Sequence, residues 1–241
     1  MQITVRLFAV LRDAAGADCL TERFEGDTIT VAQLRDRLAG RAGLGPHMPR
    51  VALALNEEYV TDGTTPLRDG DTIALIPPIS GGADRNADID PAEGVTPRFL
   101  VTSGVLDPRA LRDAVMTRAS GACVVFEGVV RDHHEGRAVE RLEYEAYEPM
   151  ALRQLEAVAA EVADEYRDRE VHHIAIHHRV GPLSVGETSL LVAVSAAHRR
   201  DAFEAALRAV DRVKETVPVW KKEWGPDGSH WQEGVVPSPR R

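Results

Sequence analysis

Residues 72–82 read TIALIPPISGG, and the fold predicted for the first part of the chain depends on them. The apolar run predicts a β-strand at 72–76, and the two prolines that follow end its pairing. Gly81 and Gly82 come next, and two residues without a Cβ can thread a narrow channel that any side chain would block. An extended tail from Pro77 to Gly82 would reach ~20 Å. The stretch therefore predicts a strand with a threadable tail, although the two glycines could also simply begin a flexible linker.

Upstream of that stretch, hydrophobic periodicity predicts the order β-β-α-β-β. Strands are indicated at 2–8 and 19–24 with a turn at Gly16, a helix at 30–38 with Thr28 or Thr30 as its N-cap, and further strands at 51–55 and 72–76. This order, with its Gly-Gly end, resembles the β-grasp fold of ubiquitin and of the sulfur-carrier proteins. We therefore interpret Gly82 as the end of a carrier tail.

Residues 83–96, ADRNADIDPAEGVT, mark a boundary between two domains. The segment has no aromatic residue, one arginine against four acidic residues, and both proline and glycine. Such a composition is typical of a solvated linker. We therefore predict a β-grasp domain over 1–82, an acidic linker over 83–96 and a second domain over 97–241.

Composition narrows the class of protein. Of 241 residues, 44% are hydrophobic, which is enough for a packed core, and the formal net charge of −9 argues against a general nucleic-acid binder. No apolar run approaches the ~20 residues that span a bilayer. Cys19 and Cys123 lie far apart, so neither a disulfide framework nor a thiolate zinc site is indicated. We expect a soluble cytoplasmic protein without a metal or cofactor of its own, with no nucleic acid and no membrane among its partners.

The second domain is predicted to have an α+β fold. Helices are indicated at 108–118, 150–168 and 202–216, strands at 122–130, 139–147, 171–178 and 189–195, and a polar loop at 132–136. The strand at 189–195 is continuously apolar, which predicts burial on both of its faces.

The lysines of this chain are few and clustered. Three of the 29 basic residues are lysines, and all three, Lys214, Lys221 and Lys222, fall within nine residues. A GC-rich genome would explain the scarcity but not the clustering, and a lysine, unlike an arginine, can lose its proton and act as base or nucleophile. Pro218 ends the last predicted helix, and strand alternation beyond it would place Lys221 on the face opposite Trp220 and Lys222.

Lys214 interrupts the predicted apolar face of the last helix. Phe203, Leu207, Val210 and Val217 recur at helical spacing, and position 214 falls on the same face. The lysine could extend along the helix flank to solvent, or it could line a pocket and take part in acid–base chemistry.

Residues 197–201, AHRRD, join the strand at 189–195 to that helix, with Asp201 as the predicted N-cap. A helix N-terminus that carries His198 and Arg199 suits an anion, because backbone N–H groups, the helix dipole and a guanidinium all favour a phosphate. The two residues could equally be ordinary surface residues at a junction.

Several adjacent histidine pairs could suggest a metal site: His133-His134, His172-His173 and His177-His178. Adjacent residues on a strand point to opposite faces, and positions 173 and 177 would lie ~13 Å apart, too far to share one ion. We therefore predict no metal site. Cys123, inside an apolar strand, is expected to be a buried small side chain and not a nucleophile.

Three stretches of the second domain resemble the large subunit of molybdopterin synthase. They are GACVVFEGVVR at 121–131, SAAHR at 195–199, and Lys214 followed by PVWKKE at 218–223. The resemblance covers nearly all of 97–233, and the β-grasp segment with its Gly-Gly end resembles the small subunit. The chain is therefore similar to a fusion of the two subunits.

This resemblance implies a sulfur transfer. In the family, an E1-like enzyme adenylates the terminal glycine of the small subunit, a sulfur donor converts it to a thiocarboxylate, and two sulfurs then pass to cyclic pyranopterin monophosphate to form the dithiolene of molybdopterin. By matching position, Lys214 and Lys221 are the candidate catalytic lysines and Gly82 is the sulfur carrier. The candidate substrate-binding residues are Arg131, His198, Arg199, Lys222 and Glu223, with Val129 and Val130 beside them. Large subunits typically form homodimers with pockets near the interface, and many carry a basic residue where this chain has Val129.

The fusion raises a chemical problem. A thiocarboxylate requires a free carboxyl group on Gly82, yet Gly82 is followed by Ala83. A processing protease could cut after Gly82, since the acidic linker is expected to be exposed. Alternatively, a separate small subunit serves the second domain, the chain is a sulfur carrier for another thiolation pathway, or it is a non-catalytic ubiquitin-like interaction module.

Overall fold

The computed structural model describes residues 1–79 and 96–237, which fall into two compact units. The first unit holds residues 1–79 together with the C-terminal residues from Glu233 onward, and the second unit ends at Gln232. The predicted linker, apart from Thr96, lies outside the described residues, as does the Gly-Gly pair at 81–82. The predicted boundaries at 82 and 97 therefore stay predictions.

The first unit is a five-stranded sheet crossed by a helix. Its strands are β1 (Gln2–Leu7), β2 (Cys19–Arg23), β3 (Ile29–Thr30), β4 (Ala52–Leu55), β5 (Glu58–Val60), β6 (Pro66–Leu67) and β7 (Thr72–Ile76), and its helices are α1 (Ala9–Ala15), α2 (Val31–Ala39) and a 3-10 turn at Met48–Arg50. The sheet order is β2-β1-β7-β4-β5, with β1 and β7 parallel, and β3 pairs separately with β6. The apolar face of α2 joins the same core as the sheet. This arrangement confirms the predicted β-grasp fold.

Two local signals explain the helices of this unit. Thr30 caps α2, because its Oγ1 accepts a hydrogen bond from the Gln33 backbone N–H at 3.3 Å and the Gln33 side chain accepts from the Thr30 N–H at 2.8 Å. The sequence predicts only a turn at Gly16, whereas the structure has the seven-residue helix α1 before it. Gly16 ends α1 in the left-handed region at φ 66°. A helix this short gives too few turns for a clear periodicity.

The residues after Gln232 pair with the first unit. Ile79 and Val235 form an antiparallel bridge with N···O distances of 2.9 and 3.2 Å. Arg50 Nη2 donates to the Gly234 carbonyl at 3.5 Å. These hydrogen bonds join positions distant in sequence, so the C-terminal residues group with the first unit, whereas we predicted them as part of 97–241.

The second unit contains two four-stranded sheets. Its strands are β8 (Phe99–Thr102), β9 (Ala122–Val129), β10 (His133–His134), β11 (Arg137–Ala138), β12 (Arg141–Ala146), β13 (Val171–Arg179), β14 (Gly181–Ser184), β15 (Thr188–Ala196), β16 (Val219–Gly225) and β17 (Gly228–Trp231), and its helices are α3 (Pro108–Val115), α4 (Glu148–Glu165) and α5 (Arg199–Thr216). One sheet has the order β8-β13-β15-β9 and the other β14-β12-β16-β17. β10 and β11 form a hairpin where a polar loop was predicted. The mixture of helices and mainly antiparallel strands confirms the α+β fold class.

Strand β15 is buried on both faces, as its continuous apolar run predicts. Leu191 and Ala193 pack with residues of α3, and Val192 and Val194 pack with residues of α4 and α5. Because successive side chains of a strand alternate, one strand serves two cores. β15 therefore anchors the helix that follows it.

Helix α5 buries only part of the predicted face, because Val210 and Val217 are buried whereas Phe203 and Leu207 are not. Phe203 and Leu207 are 65% and 64% exposed. The buried face consists mainly of small residues, namely Ala202, Ala205, Ala206, Ala209, Val210 and Val213. Small side chains let a helix lie close to a sheet, so tight packing rather than side-chain size selects this face. The predicted position of Phe203 and Leu207 in the core is wrong.

Gly121 marks a close approach between two chain segments. Its backbone N–H donates to the Ala196 carbonyl at 3.0 Å, and a Cβ at this position would overlap the Ala197 carbonyl oxygen. We expect Gly121→Ala to destabilise the second unit by about 1–3 kcal/mol, because the backbone at Ala197 must move. Urea unfolding monitored by tryptophan fluorescence would measure the change. Gly104→Ala is the control, because its Cβ would meet only the Thr102 hydroxyl, at 3.4 Å. Equal losses of unfolding free energy in Gly121→Ala and Gly104→Ala would contradict this explanation.

No helix among the described residues is both long enough and apolar enough to cross a bilayer.

Candidate functional site

Strand β16 places Lys221 and Glu223 on one face of its sheet. Lys221 Nζ lies 3.3 Å from Glu223 Oε1, the Glu223 side chain is 3% exposed, and the Lys221 side chain is largely buried. Their register partners on β12 are the buried residues Tyr144 and Leu142. Charges in such surroundings interact more strongly than they do in water. A cation held there could stabilise a developing negative charge or transfer a proton.

Two histidines approach the same carboxylate. His134 Nδ1 lies 3.3 Å from Glu223 Oε1, and His230 Nε2 lies 3.5 Å from Glu223 Oε2. His134 stands on the β10–β11 hairpin, and His230 is the register partner of Glu223 on β17. Within residues 1–79 and 96–237, no group of three or more histidine, cysteine or acidic residues could hold a metal ion.

The sequence analysis did not select these two histidines as site residues. A signal for His230 existed, because Pro226, Asp227 and Gly228 are turn formers, and a hairpin centred there would bring β17 back across β16. Nothing comparable indicated that His134 would reach Glu223. That contact depends on how the β10–β11 hairpin packs.

Lys222 lies on the opposite face of β16. Its Nζ is 5.0 Å from the ring centroid of Trp231 and 5.9 Å from that of Trp224. The Arg141 guanidinium lies over the Trp224 ring, 4.2 Å from its centroid, and Trp224 Nε1 donates to Glu143 Oε2 at 3.0 Å. The structure thus separates Lys222 from Lys221, as strand alternation predicts. Lys222 belongs to a cation–aromatic cluster.

The N-terminus of α5 carries the predicted anion-binding residues. α5 begins at Arg199 with His198 as its N-cap, so the prediction of Asp201 as N-cap is wrong. Asp201 lies in the first turn, where it accepts from Arg169 at 2.7 Å. The side chains of His198 and Arg199 are exposed, with His198 Nε2 4.0 Å from a Glu170 oxygen.

One chain does not bring all the predicted residues together. Lys214 is exposed and lies in the last turn of α5, fifteen residues beyond Arg199. At 1.5 Å per residue, the two Cα atoms are ~22 Å apart along the helix. The predicted anion-binding end of α5 and its lysine-bearing end are therefore opposite ends of one helix.

Val129 is the last residue of strand β9, and Val130 and Arg131 follow it. Val129 is exposed, whereas Val130 is buried and its N–H donates to the Glu187 carbonyl at 3.0 Å. Arg131 is exposed and leads into the hairpin that carries His134. Cys123, on β9, is partly buried, and burial raises the pKa of its thiol, which disfavours the reactive thiolate.

His178 is a buried histidine that contacts Tyr144, the register partner of Lys221. The His178 ring stands edge-on to Tyr144 with centroids 5.6 Å apart, and burial lowers the pKa of His178 to about 4. The unfolded chain, with an ordinary imidazole, then binds more protons than the folded chain between about pH 6.5 and pH 4. Stability therefore falls as the pH falls through this range, by about 3 kcal/mol from this group.

We expect His178→Phe to reduce the change in the free energy of unfolding between about pH 6.5 and pH 4. All three tryptophans, Trp220, Trp224 and Trp231, lie in the second unit, so tryptophan fluorescence in urea reports on that unit. His133→Phe, at an exposed position, is the control and should keep the wild-type slope. If the free energy of unfolding of His178→Phe depends on pH as steeply as that of the wild type, this imidazole is not the source of the pH dependence.

Both parts of the chain are similar to known proteins. The MoaE protein family model matches residues 101–216, and the ThiS family model matches residues 5–82. The molybdopterin synthase catalytic subunit of Bacillus subtilis is 40% identical over 134 residues, which cover 56% of this chain and 83% of that protein. The corresponding subunit of Pyrococcus abyssi is 47% identical over 120 residues, covering 50% and 79%. The crystal structure of molybdopterin synthase from Staphylococcus aureus matches with a TM-score of 0.54 and 39% identity, covering 57% of this chain and 98% of that one.

Proposed function

We propose that this chain, which belongs to the family of molybdopterin synthase catalytic subunits, transfers sulfur from a Gly82 thiocarboxylate to cyclic pyranopterin monophosphate. The ThiS-family region that precedes the catalytic domain supports this proposal, because it ends at Gly82. The product would be the dithiolene of molybdopterin, the precursor of the molybdenum cofactor. The observation that carries the proposal is the buried Lys221–Glu223 pair, which provides a fixed cation beside an apolar core. In this proposal the chain needs no metal or organic cofactor of its own.

Sulfur transfer needs positive charge and a source of protons. The thiocarboxylate is an anionic nucleophile whose sulfur bonds to a substrate carbon, and opening the cyclic phosphate leaves further negative charge on a phosphate oxygen. Lys221 would stabilise this charge and supply a proton, while Glu223 holds the ammonium group in place. Water then cleaves the bond between the Gly82 acyl carbon and the transferred sulfur, which returns Gly82 to a carboxylate. A second thiocarboxylate adds its sulfur to the neighbouring substrate carbon, whose oxygen leaves as water, and a second hydrolysis again returns Gly82 to a carboxylate.

The ~22 Å length of α5 between Arg199 and Lys214 supports a homodimeric site. We infer that His198 and Arg199 of one subunit bind the substrate phosphate beside Lys214 and Lys221 of the partner, with Arg131 and Val129 nearby, whereas the buried Val130 and the oppositely directed Lys222 stay outside this site. The exposed apolar side chains Phe203 and Leu207 fit a helix face that another copy covers.

Mixing two inactive variants would test this shared site. Arg199→Ala and Lys221→Ala homodimers should each lose most activity, whereas a heterodimer retains one site with both residues intact. After random exchange of subunits, the mixture should recover about a quarter of the wild-type rate. Recovery to no more than the mean of the two variants would show that each chain supplies its own complete site.

The carrier part of the proposal names further partners. An E1-like enzyme would adenylate Gly82, a sulfur donor would complete the thiocarboxylate, and a protease would first cut the bond between Gly82 and Ala83. The ThiS-family match up to residue 82 supports the position of this end.

A reconstituted assay separates the candidate functions. The chain purified from its own host is incubated with cyclic pyranopterin monophosphate, an E1-like enzyme, ATP and a sulfur donor, and both protein and pterin are analysed by mass spectrometry. A pterin that gains two sulfurs supports the proposal. A Gly82 thiocarboxylate with an unchanged pterin would indicate a carrier for another thiolation pathway. Absence of both products would favour a non-catalytic module.

A further inference from the structure

The C-terminal segment, residues 233–237, pairs with the first unit just after its last strand. Val235 N–H donates to the Ile79 carbonyl at 3.2 Å, and Ile79 N–H donates to the Val235 carbonyl at 2.9 Å. Ile79 is buried and lies three residues beyond the end of β7 and three residues before Gly82. The segment therefore binds the base of the predicted carrier tail.

The sequence around Ile79 explains why this residue needs a partner from elsewhere in the chain. Pro77 and Pro78 have no N–H, so Ile79 carries the first backbone donor after β7. β7 itself is already paired on both sides, with β1 and β4. Because Ile79 is buried, an unpaired N–H or carbonyl group there would be destabilising. Val235 supplies a partner for both groups.

The contacts of the C-terminal segment are made mainly through its backbone. The Val235 side chain is 53% exposed, whereas its N–H and carbonyl groups form the bridge. Arg50 Nη2 donates to the Gly234 carbonyl at 3.5 Å, and Arg50 Nη1 lies 4.0 Å from Glu233 Oε2. This ion pair is exposed and adds little, but the Arg50 hydrogen bond fixes the neighbouring backbone. Recognition through main-chain hydrogen bonds is typical of a strand added to a sheet protein.

The C-terminal segment is covalently part of the chain that carries the second unit. That unit ends at Gln232, one residue before the segment. A cut after Gly82 would leave Ile79 on a carrier fragment, 1–82, and Val235 on a catalytic fragment, 83–241. Strand pairing does not require covalent continuity. The hydrogen bonds that form within the uncut chain would therefore join the two fragments.

We propose that the C-terminal segment is a docking strand for the carrier fragment, and that it holds this fragment by pairing with Ile79 after the chain has been cut. The occupant is the β-grasp domain of this same chain, recognised at the base of its tail. The contribution of docking to sulfur transfer rests on the proposed function, but the pairing itself does not.

A chain that is cut by design measures the docking without the natural protease. A recognition sequence for a specific protease is inserted after Ile89, and the full-length chain is cut once it has folded. The carrier fragment contains no tryptophan, so absorbance at 280 nm in sedimentation velocity follows mainly the catalytic fragment. We expect the fragments to sediment together at about 10 µM and to separate on dilution, which gives their Kd. Fragments that sediment separately even at about 100 µM would overturn the docking.

Matched proline variants assign the affinity to the bridge. Val235→Pro removes the N–H that donates to Ile79, so the Kd should rise about five- to tenfold. Val236→Pro keeps that N–H and favours an extended Val235, so its Kd should stay within about twofold of wild type. An equal Kd in the two variants would overturn the docking.

A truncated chain that ends at Gln232 gives a second measurement of the same pairing. It lacks the whole C-terminal segment, so its Kd should rise at least as much as that of Val235→Pro. It also decides the result if Val235→Pro does not fold, as judged by circular dichroism before the cut. A truncated chain that binds its carrier fragment as tightly as wild type would overturn the docking.

The sedimentation measurement needs no substrate, so it separates the docking from the proposed function. A Kd that responds to Val235→Pro, in a chain that transfers no sulfur to the pterin, would count against the proposed function alone. Sulfur transfer by fragments whose Kd does not respond to Val235→Pro or to truncation would count against the docking alone.

Discussion

Lys221→Ala is expected to lower the rate of dithiolene formation by roughly 10³-fold, the size of loss that follows removal of a general acid or base. The ammonium group is largely buried and 3.3 Å from Glu223 Oε1, so no solvent cation reproduces its position. A single-turnover assay with preformed thiocarboxylate would isolate the transfer step. Unfolding in urea, followed by tryptophan fluorescence, would show that the variant still folds.

Two further variants separate charge from proton transfer. Lys221→Arg keeps a cation beside Glu223 but cannot give up its proton at neutral pH, so it should fold normally and still lose roughly 10²-fold in rate. Lys222→Ala, on the opposite face of β16, should lose less than about tenfold, since its contacts are with Trp224 and Trp231. If Lys221→Ala keeps more than a tenth of the wild-type rate, this lysine is not the proton donor.

Ala83→Pro is expected to abolish sulfur transfer by the chain altogether. The thiocarboxylate needs a free Gly82 carboxyl group, and a proline on the leaving side of the bond, which lacks an N–H, blocks most proteases. Intact mass spectrometry of protein from its own host should show a wild-type fragment that ends at Gly82, with one oxygen replaced by sulfur. Ala83→Pro should stay full length.

One control for this variant is a second proline in the same predicted linker, and the other is an added carrier polypeptide. Asn86→Pro adds a proline three residues further on and should be cut after Gly82 like wild type. Adding a separate 1–82 polypeptide with its thiocarboxylate should restore activity to Ala83→Pro, which would show that the second unit remains competent. Wild-type turnover by uncut Ala83→Pro would rule out processing and point to a separate small subunit.

Strand periodicity was the most dependable guide to the site. Alternation along 219–223 separates Lys221 from Lys222 and Trp220, and the structure agrees because β16 is a regular strand. The apolar run at 189–195 likewise predicts the burial of β15 on both faces. In both cases the backbone geometry of one element is sufficient to orient its side chains.

Helix α5 shows where the same reasoning fails. Large apolar side chains at Phe203 and Leu207 suggested the core face, yet alanines occupy it. The identity of a buried face depends on the space available between helix and sheet, and a narrow gap favours small residues. One sequence does not reveal the width of that gap.

Local periodicity and residue chemistry are sufficient to predict the two kinds of domain, the lysine cluster and the orientation of Lys221. The enclosure of Glu223 by Lys221, His134 and His230 is visible only in the folded protein. Those four side chains come from three strands, and their meeting depends on hairpin register and packing across the sheet. Long-range pairing of this kind is set by the energy of the whole fold, so no single segment of the chain encodes it.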